Sequence, residues 1–235
     1  MGQDGLQTES WKRAAAVAAV AEVADGMLVG LGTGTTAAFA IAELARRLGE
    51  GLRCHGVATS LRTADSARAA GIPLLSLEEV AEVDLCIDGV DEIDGELRAI
   101  KGAGGAMLRE KILASAARRM IAIADASKAV ARLGARPVPV EVLPVARAYV
   151  ERQLGLRDCT PILRRNDAGA LMTTDQGNLV FDCHFAVLDD PAGIATSLSS
   201  IPGMLGHGLF PSEIDALYLG TADGVVRRER NIAEY

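Results

Sequence analysis

The chain has no C-x-x-C pair, no clustered histidines, no basic stripe and no apolar run near the ~20 residues that a membrane span requires. Each absence removes a class of function. Its four cysteines, Cys54, Cys86, Cys159 and Cys183, lie far apart, so a disulfide framework gives way to buried, reduced thiols in a reducing compartment. Three histidines, His55, His184 and His207, show no metal-ligand spacing, and no metal site is expected. A net charge of -7 argues against a nucleic-acid partner, which would call for a basic face. That field also repels anionic ligands, so their attraction has to come from local Lys, Arg and backbone N–H groups. The opening Met1-Gly2-Gln3-Asp4-Gly5 lacks the basic-then-apolar order of a secretory signal. Acylation of Gly2 is disfavoured because Leu6 stands where Ser or Thr belongs. A cytoplasmic protein with no membrane partner is the expectation.

What is present is an ordinary globular composition, 49% hydrophobic and 23% charged over 235 residues, enough for one or two domains. An alanine-rich helix is expected over 9–24, closed by Asp25-Gly26. A strand over 27–31, a turn over 33–36 and a helix over 37–48 follow. The pattern repeats with a strand over 52–59, a helix over 61–70 and a strand over 72–75, and further strands lie over 83–87 and 120–124. Strands alternating with helices imply βαβ units and a parallel sheet. At Pro137, Pro139 and Pro144 the composition changes to one that favours an extended, stiff connection and a domain boundary. Beyond it come a helix over 145–154, a hairpin turning at 174–178 between 170–172 and 179–181, and a helix over 191–198. A strand over 214–219 and a tight turn at Asp223-Gly224, before Val225-Val226, rejoin the first domain. The expected fold is α/β: a Rossmann-like parallel-sheet domain of residues 1–133 and 206–235, with a smaller inserted α+β domain of residues 134–205.

Three stretches carry chemistry. In Gly30-Leu31-Gly32-Thr33-Gly34-Thr35-Thr36-Ala37, glycines let the backbone approach a ligand, and the helix start offers N–H donors at a positive dipole end. A phosphate suits that turn. Its spacing is neither G-x-G-x-x-G nor a P-loop, and a plain Thr-capped βα turn reads the same way. The second stretch runs from Asp88 to Glu110. Asp88 and Asp91 end a predicted strand, at the edge where open α/β sheets bind ligands, and neighbouring carboxylates split their pKa values. Glu92 and Asp94 are expected to be solvated loop acids. On a helix over 106–117, Glu110 shares a face with Ala106, Leu113, Ala114 and Ala117, an apolar setting that suits a general base. The alternative is an exposed rim of Arg109, Glu110 and Lys111. Lys101, before Gly102-Ala103-Gly104-Gly105, is either a phosphate anchor or a cation for a developing oxyanion. The third stretch, Ala124-Asp125-Ala126-Ser127-Lys128, puts another cation at the same sheet edge. Lys12 is a further cationic candidate, and His207 is expected in a loop.

With Gly32-Thr33-Gly34-Thr35-Thr36, Asp88-Gly89-Val90-Asp91-Glu92, Lys101-Gly102-Ala103-Gly104-Gly105, Arg109-Glu110-Lys111 and Asp125-Ala126-Ser127-Lys128 in this order, the chain resembles ribose-5-phosphate isomerases of type A. The resemblance extends over residues 12–225 and takes in Pro137-Val138-Pro139-Val140-Glu141-Val142, Ile201-Pro202-Gly203 and Gly208-Leu209-Phe210. It implies interconversion of ribose 5-phosphate and ribulose 5-phosphate through an enediolate, in the non-oxidative branch of the pentose phosphate pathway. It also implies no metal or other cofactor, and a homo-oligomer, dimer or tetramer. On that resemblance Glu110 shuttles the proton between C2 and C1. Asp88 and Asp91 serve hydroxyl proton transfers and ring opening, and Lys101 stabilises the enediolate. Substrate-binding positions fall on Thr33, Gly34, Thr35, Thr36, Asp88, Gly89, Val90, Asp91, Lys101, Gly102, Ala103, Gly104 and Lys128. Val90 and Ala103 stand where the family usually has alanine and glycine, and Thr35 where it has serine. Thr35 keeps its hydroxyl; Val90 and Ala103 add bulk, and Ala103 excludes glycine-only backbone angles, which bears on rate or fit. The rivals are a silent sugar-phosphate-sensing module, a sugar-phosphate deaminase and a coenzyme A transferase. Turnover of ribose 5-phosphate, against glucosamine 6-phosphate or an acyl thioester, separates them.

Overall fold

Leu28-Val29-Gly30-Leu31, Leu85-Cys86-Ile87 and Met120-Ile121-Ala122-Ile123-Ala124 are apolar throughout, as strands covered on both faces require. In a computed structural model they lie in one sheet. The structure describes residues 3–230; Gly2, weighed above as an acylation site, and the outer ends of the expected first domain lie outside them. Along the chain, α1 (Gln3–Val20), β1 (Leu28–Leu31), α2 (Thr35–Gly49), β2 (His55–Ala58) and α3 (Leu61–Ala69) alternate. Next come β3 (Leu85–Gly89), the short β4 (Glu92–Ile93) and β5 (Ala99–Ile100), and helix α4 (Met107–Ala116). Strands β6 (Met120–Asp125) and β7 (Val138–Val142) precede α5 (Arg147–Gly155), and β8 (Cys159–Leu163) and β9 (Leu179–Phe185) precede α6 (Pro191–Ser199). The chain ends through β10 (Met204–His207), β11 (Leu209–Phe210), β12 (Ala216–Thr221) and β13 (Gly224–Glu229).

Two compact units result. The first comprises residues 1–90, 112–129 and 213–235, and holds a six-stranded sheet of order β13-β12-β6-β3-β1-β2. All pairs in it are parallel except the edge hairpin β12–β13. Its core joins Ala15, Ala16 and Ala19 of α1 and Ile41 and Leu44 of α2 to Val29, Ile87, Ile121 and Ile123 of the strands. The small side chains on α1 explain the alanine-rich sequence, since they let the helix lie close to the sheet.

The second unit comprises residues 91–111 and 130–212. It holds a four-stranded antiparallel sheet, β10-β7-β9-β8, and a three-stranded one, β11-β5-β4. Val138, Val140, Phe181, Leu198 and Leu209 lie in its core. This division differs from the expected 134–205 insertion. Residues 91–111 go with the second unit because β4 and β5 pair with each other and with β11, never with the parallel sheet.

Several expected elements are corrected. The proline stretch is no linker: Val138–Val142 is an interior strand, buried at every position. The Pro139 carbonyl accepts from Gly208 N at 2.7 Å, so its hydrogen-less nitrogen faces the same way, just past the last β10 pair, His207 with Val140. No ladder bond to β9 is lost, which is the placement proline tolerates. The strand expected over 72–75 shrinks to one bridge, Gly56 with Leu74, because the chain turns at Ser76, whose hydroxyl caps a 3₁₀ turn over Leu77–Glu79. Residues 170–172 form no strand either. Asn166 folds that segment on itself by accepting from Ala168 N and Ala170 N; the expected turn over 174–178 forms, but it reaches β9 by one bridge, Thr173 with Leu179, and the rest of β9 pairs with β8 and β7. His207 closes β10, 5% exposed, with Nε2 at 3.1 Å from Ser199 Oγ, and is not a loop residue.

Glu141, inside β7, is fully buried. Thr174 Oγ1 and Asn178 Nδ2 each donate to its Oε1 at 2.8 Å. Burial pushes its pKa up, and the two donated bonds oppose this. The folded state therefore binds this proton more tightly than the unfolded chain does. The stability contribution is full in acid, below the ordinary carboxyl value, and is lost as pH rises toward the folded value. Glu141→Gln should remove that slope, so the variant gains on the wild type between about pH 5 and pH 8. Urea unfolding at both pH values checks this; an unchanged difference would reject it.

Candidate active site

In the first unit the order β2-β1-β3-β6 reverses at β1: the chain leaves β1 to one side for β2 and later returns on the other as β3. Such a switch point opens a crevice beyond the carboxyl ends of the strands, where α/β sheets bind ligands. Here it receives Gly32 to Thr36 after β1, and Asp88 and Gly89 at the end of β3. Asp88 belongs to the strand itself and is fully buried. Its Oδ1 accepts from Thr33 N at 3.0 Å and Gly89 N at 2.7 Å. Gly32 passes so close that a Cβ there would lie 2.0 Å from Asp88 Oδ1.

The threonines of the turn separate by role. Thr33 Oγ1 points inward, to Thr59 Oγ1 at 2.8 Å, Ser60 Oγ at 2.9 Å and Thr63 Oγ1 at 3.1 Å. Thr63 in turn donates to Gly32 O and Thr59 to Leu31 O, both at 2.9 Å. This hydroxyl cluster braces the turn from behind. Thr35 is exposed, and Lys12 Nζ donates to its Oγ1 at 3.2 Å. Helix α2 follows Gly34, which offers no side-chain cap, so no side-chain oxygen caps its first turn and the end is suited to an anion. A pocket of about 260 Å³ opens at this turn, lined by Gly32, Gly34, Thr35, Arg62 and Thr63 among others. Val90 is buried and Gly89 half-buried. At the end of β6, Asp125 Oδ1 accepts from Ser127 N at 3.0 Å and caps the 3₁₀ turn that carries half-buried Lys128.

In the second unit, Lys101 and Glu110 meet. Lys101 Nζ lies 3.4 Å from Glu110 Oε2, with the residues 2% and 3% exposed. The rim reading of Glu110 is thereby set aside. The expected apolar setting is half met, since the glutamate is buried but faces an ammonium. The centroid of the Phe210 ring lies 5.5 Å from Lys101 Nζ and 3.9 Å from Lys111 Nζ, so two cations lie against one aromatic ring. Lys101 is fixed through its backbone, whose N–H donates to Gly208 O at 2.8 Å. Half-buried Asp91 accepts from Ala103 N at 2.9 Å through Oδ2. In the glycine-rich loop the left-handed positions are Gly102 (φ 99) and Gly105 (φ 78). Ala103 is not among the positive-φ residues, so it carries no backbone strain, and like Gly104 it is exposed.

Glu92 and Asp94 correct the sequence reading: both are 3% exposed, not solvated. Glu92 accepts from Gly134 N at 2.8 Å and Arg136 N at 2.5 Å. Asp94 accepts from Glu96 N, Arg98 N and Arg98 Nε at 2.9, 3.0 and 2.7 Å. An acid in a turn can satisfy several backbone donors at once, which is why it goes inside. Sequence reasoning also missed Thr59, Ser60 and Thr63, although Ser60 three residues before Thr63 is a helix-cap pattern. It missed Arg164 entirely, and Arg164 donates to the carbonyls of Gly102 and Ala103. Among the described residues no group of three His, Cys, Asp or Glu could hold a metal ion, and no helix is long and apolar enough to cross a membrane.

The family model described as ribose 5-phosphate isomerase A (phosphoriboisomerase A) matches residues 55–224. The chain belongs to this family. A ribose-5-phosphate isomerase A of Sphingopyxis alaskensis is 48% identical over 222 residues, covering 94% of this chain and 97% of that protein. One of Roseiflexus castenholzii is 46% identical, covering 93% and 95%. Among solved structures, ribose 5-phosphate isomerase A of Methanocaldococcus jannaschii superposes with a TM-score of 0.90 at 37% identity, over 94% of this chain and 99% of that one. A D-ribose-5-phosphate isomerase in complex with phospho-erythronic acid gives a TM-score of 0.91 at 36% identity, over 95% and 99%. The α/β architecture is thus that of the family.

The Gly32 contact tests the arrangement of the switch point. Gly32→Ala should displace Asp88 and cost about 1–3 kcal/mol of stability, with turnover of ribose 5-phosphate reduced by about 10²-fold. Chemical denaturation and a steady-state assay check it. A variant matching the wild type in both would show that the turn yields freely.

Proposed function

We propose a division of labour among these residues for the reaction of the family, the interconversion of D-ribose 5-phosphate and D-ribulose 5-phosphate. The protein is an aldose–ketose isomerase, and the observation that carries the assignment is the buried pair of Lys101 and Glu110. Isomerisation removes the proton from C2 of the open-chain aldose, leaves an enediolate across C1 and C2, and returns a proton to C1. Glu110 takes and returns that proton. A positioned base contributes ~10²–10⁴-fold. Lys101 neutralises the enediolate as charge moves from Glu110 onto the substrate oxygens. Such a fixed cation contributes most where water is excluded. The pair is matched in each state: the ammonium faces a carboxylate before proton transfer and an enediolate after it.

Asp88 and Asp91 move hydroxyl protons in ring opening and between O1 and O2. Asp88 is held by two backbone N–H groups and Asp91 by one, so both are oriented before substrate arrives. The phosphate is assigned to the start of α2 with Thr35 and Thr36, and Lys12 and Lys128 supply the positive charge that an acidic protein otherwise lacks. Gly34, Gly89, Val90, Gly102, Ala103 and Gly104 present backbone to the sugar. Thr33 contributes through its backbone, its hydroxyl being engaged inward.

We also read the protein as a cytoplasmic homo-oligomer, a homodimer at its simplest. Four buried cysteines, none of them in a disulfide, suit a reducing compartment. Val145, Leu156, Ile162 and Val187 of the second unit are 92%, 68%, 52% and 59% exposed, as a subunit contact would explain. Light scattering at micromolar concentration checks this, and a monomer there would reject it.

Glu110→Gln should abolish isomerisation, by about 10³-fold or more, while phospho-erythronic acid still binds. That compound joins a planar carboxylate to a phosphorylated polyol, much as an enediolate would. Near-normal turnover in the variant would remove Glu110 from the role of base. In the wild type, reaction in deuterated water should place label on the transferred position, because the proton rests on a carboxyl group between the two carbons.

A further inference from the structure

Arg164 follows β8, and its side chain is 12% exposed. Asp182 of β9 holds the guanidinium from one side: Nε donates to Oδ2 at 2.9 Å, and Nη2 donates to Oδ1. With two nitrogens so engaged, Nη1 is aimed at the glycine-rich loop, donating to Gly102 O at 3.1 Å and Ala103 O at 3.0 Å. Across a trans peptide the carbonyl of one residue and the N–H of the next point in opposite directions. The Gly102–Ala103 peptide is therefore gripped at both ends, by Arg164 on the carbonyl and by Asp91 Oδ2 on the Ala103 N–H at 2.9 Å. The grip is needed because Gly102 stands at φ 99, and glycine has a wide choice of backbone angles.

We infer that Arg164, anchored on Asp182, is a positioning residue for Asp91, acting through the Gly102–Ala103 peptide. The chain of contacts runs Asp182, Arg164, peptide, Asp91, alternating anion, cation, dipole and anion. Each member favours the next. The cation on the carbonyl end polarises the peptide and makes the Ala103 N–H a better donor to the Asp91 carboxylate. A guanidinium suits the place because its planar fork serves a carboxylate and two carbonyls together; an ammonium is a point charge and cannot do both. Arg164 touches no reacting atom and is assigned no step.

The inference rests on the assignment of Asp91 to the reaction, and the test separates the two. In ¹⁵N-labelled protein the Ala103 amide resonance and its hydrogen exchange are read for wild type, Arg164→Ala, Arg164→Lys and Asp182→Asn. Turnover is measured alongside. Arg164→Ala should move the Ala103 amide upfield, speed its exchange by about tenfold or more and lower kcat by about 10²-fold. KM should change by less than about threefold. Arg164→Lys should restore only part of kcat, Asp182→Asn should fall between it and wild type, and millimolar guanidinium should raise turnover of Arg164→Ala. If Arg164→Ala folds poorly, Asp182→Asn carries the comparison. An Ala103 amide unchanged in both variants, or a loss of turnover that only follows a loss of folded protein, overturns the inference. If the amide moves as expected but both Arg164→Ala and Asp91→Asn turn over normally, the Asp91 assignment falls instead, and with it the functional part of the inference.

Discussion

A carboxylate taken out of water has to find its compensation within a few ångströms, and this chain buries Asp88, Glu92, Asp94, Glu110, Asp125 and Glu141. How each is compensated separates scaffold from chemistry. Glu92, Asp94 and Asp125 spend their oxygens on backbone N–H groups of turns, with an arginine added at Asp94. They tie loops down. Glu141 takes two neutral donors and drifts toward the protonated form. Glu110 faces a buried ammonium, that of Lys101. Removing one partner of such a pair strands the other, at a cost of about 3–5 kcal/mol. A pair so placed is poor value as a staple, since an apolar pair of the same shape would hold the fold as well. Its presence fits the proposed role, a charge that moves between base and substrate.

Asp88 and Asp91, to which we assign proton transfers, are positioned through backbone more than through side-chain packing. At the switch point of the parallel sheet, Gly32 is bare because Asp88 needs the space of a Cβ. The N–H groups that follow then fix the carboxylate. In the second unit, Gly102 and Gly105 adopt left-handed angles that put the intervening Ala103 N–H on Asp91. A carboxylate anchored by amides keeps one face committed, so its remaining oxygen has a defined direction. That is the pre-organisation a proton transfer requires, because reorienting the acid during reaction would add to the barrier.

The parallel sheet was legible in the sequence because its strands are apolar on both faces and its turns are marked by glycine: Leu28–Leu31, Leu85–Gly89 and Met120–Asp125 come within a few residues of expectation. The second unit was not legible to the same degree. Proline usually signals the end of regular structure, and only the register places the Pro139 nitrogen on the side where no ladder bond is required. The motifs marked Lys101 and Glu110, but spacing carries no information on their 3.4 Å separation. Charge density misled at Glu92 and Asp94, because a run of acids looks solvated until the N–H groups of residues 134–136 and 96–98 are seen to converge on them. Arg164 gave no signal at all: it lies about 60 residues from the loop it holds, in a stretch without a motif.

Of the three departures from the family pattern, Ala103 and Val90 change bulk rather than functional groups. Ala103 replaces glycine at a position that needs neither a left-handed angle nor open space, for it lies outside the positive-φ set and is exposed. What the position supplies is its N–H to Asp91 and its carbonyl to Arg164, and alanine has both. The glycines that do bear conformational load, Gly102 and Gly105, are retained. Val90 is 8% exposed and sits where chain geometry rather than side-chain chemistry connects β3 to Asp91. Its extra methyl groups add to buried apolar area. Substitution is therefore tolerated where the backbone does the work, provided that the backbone angles survive it.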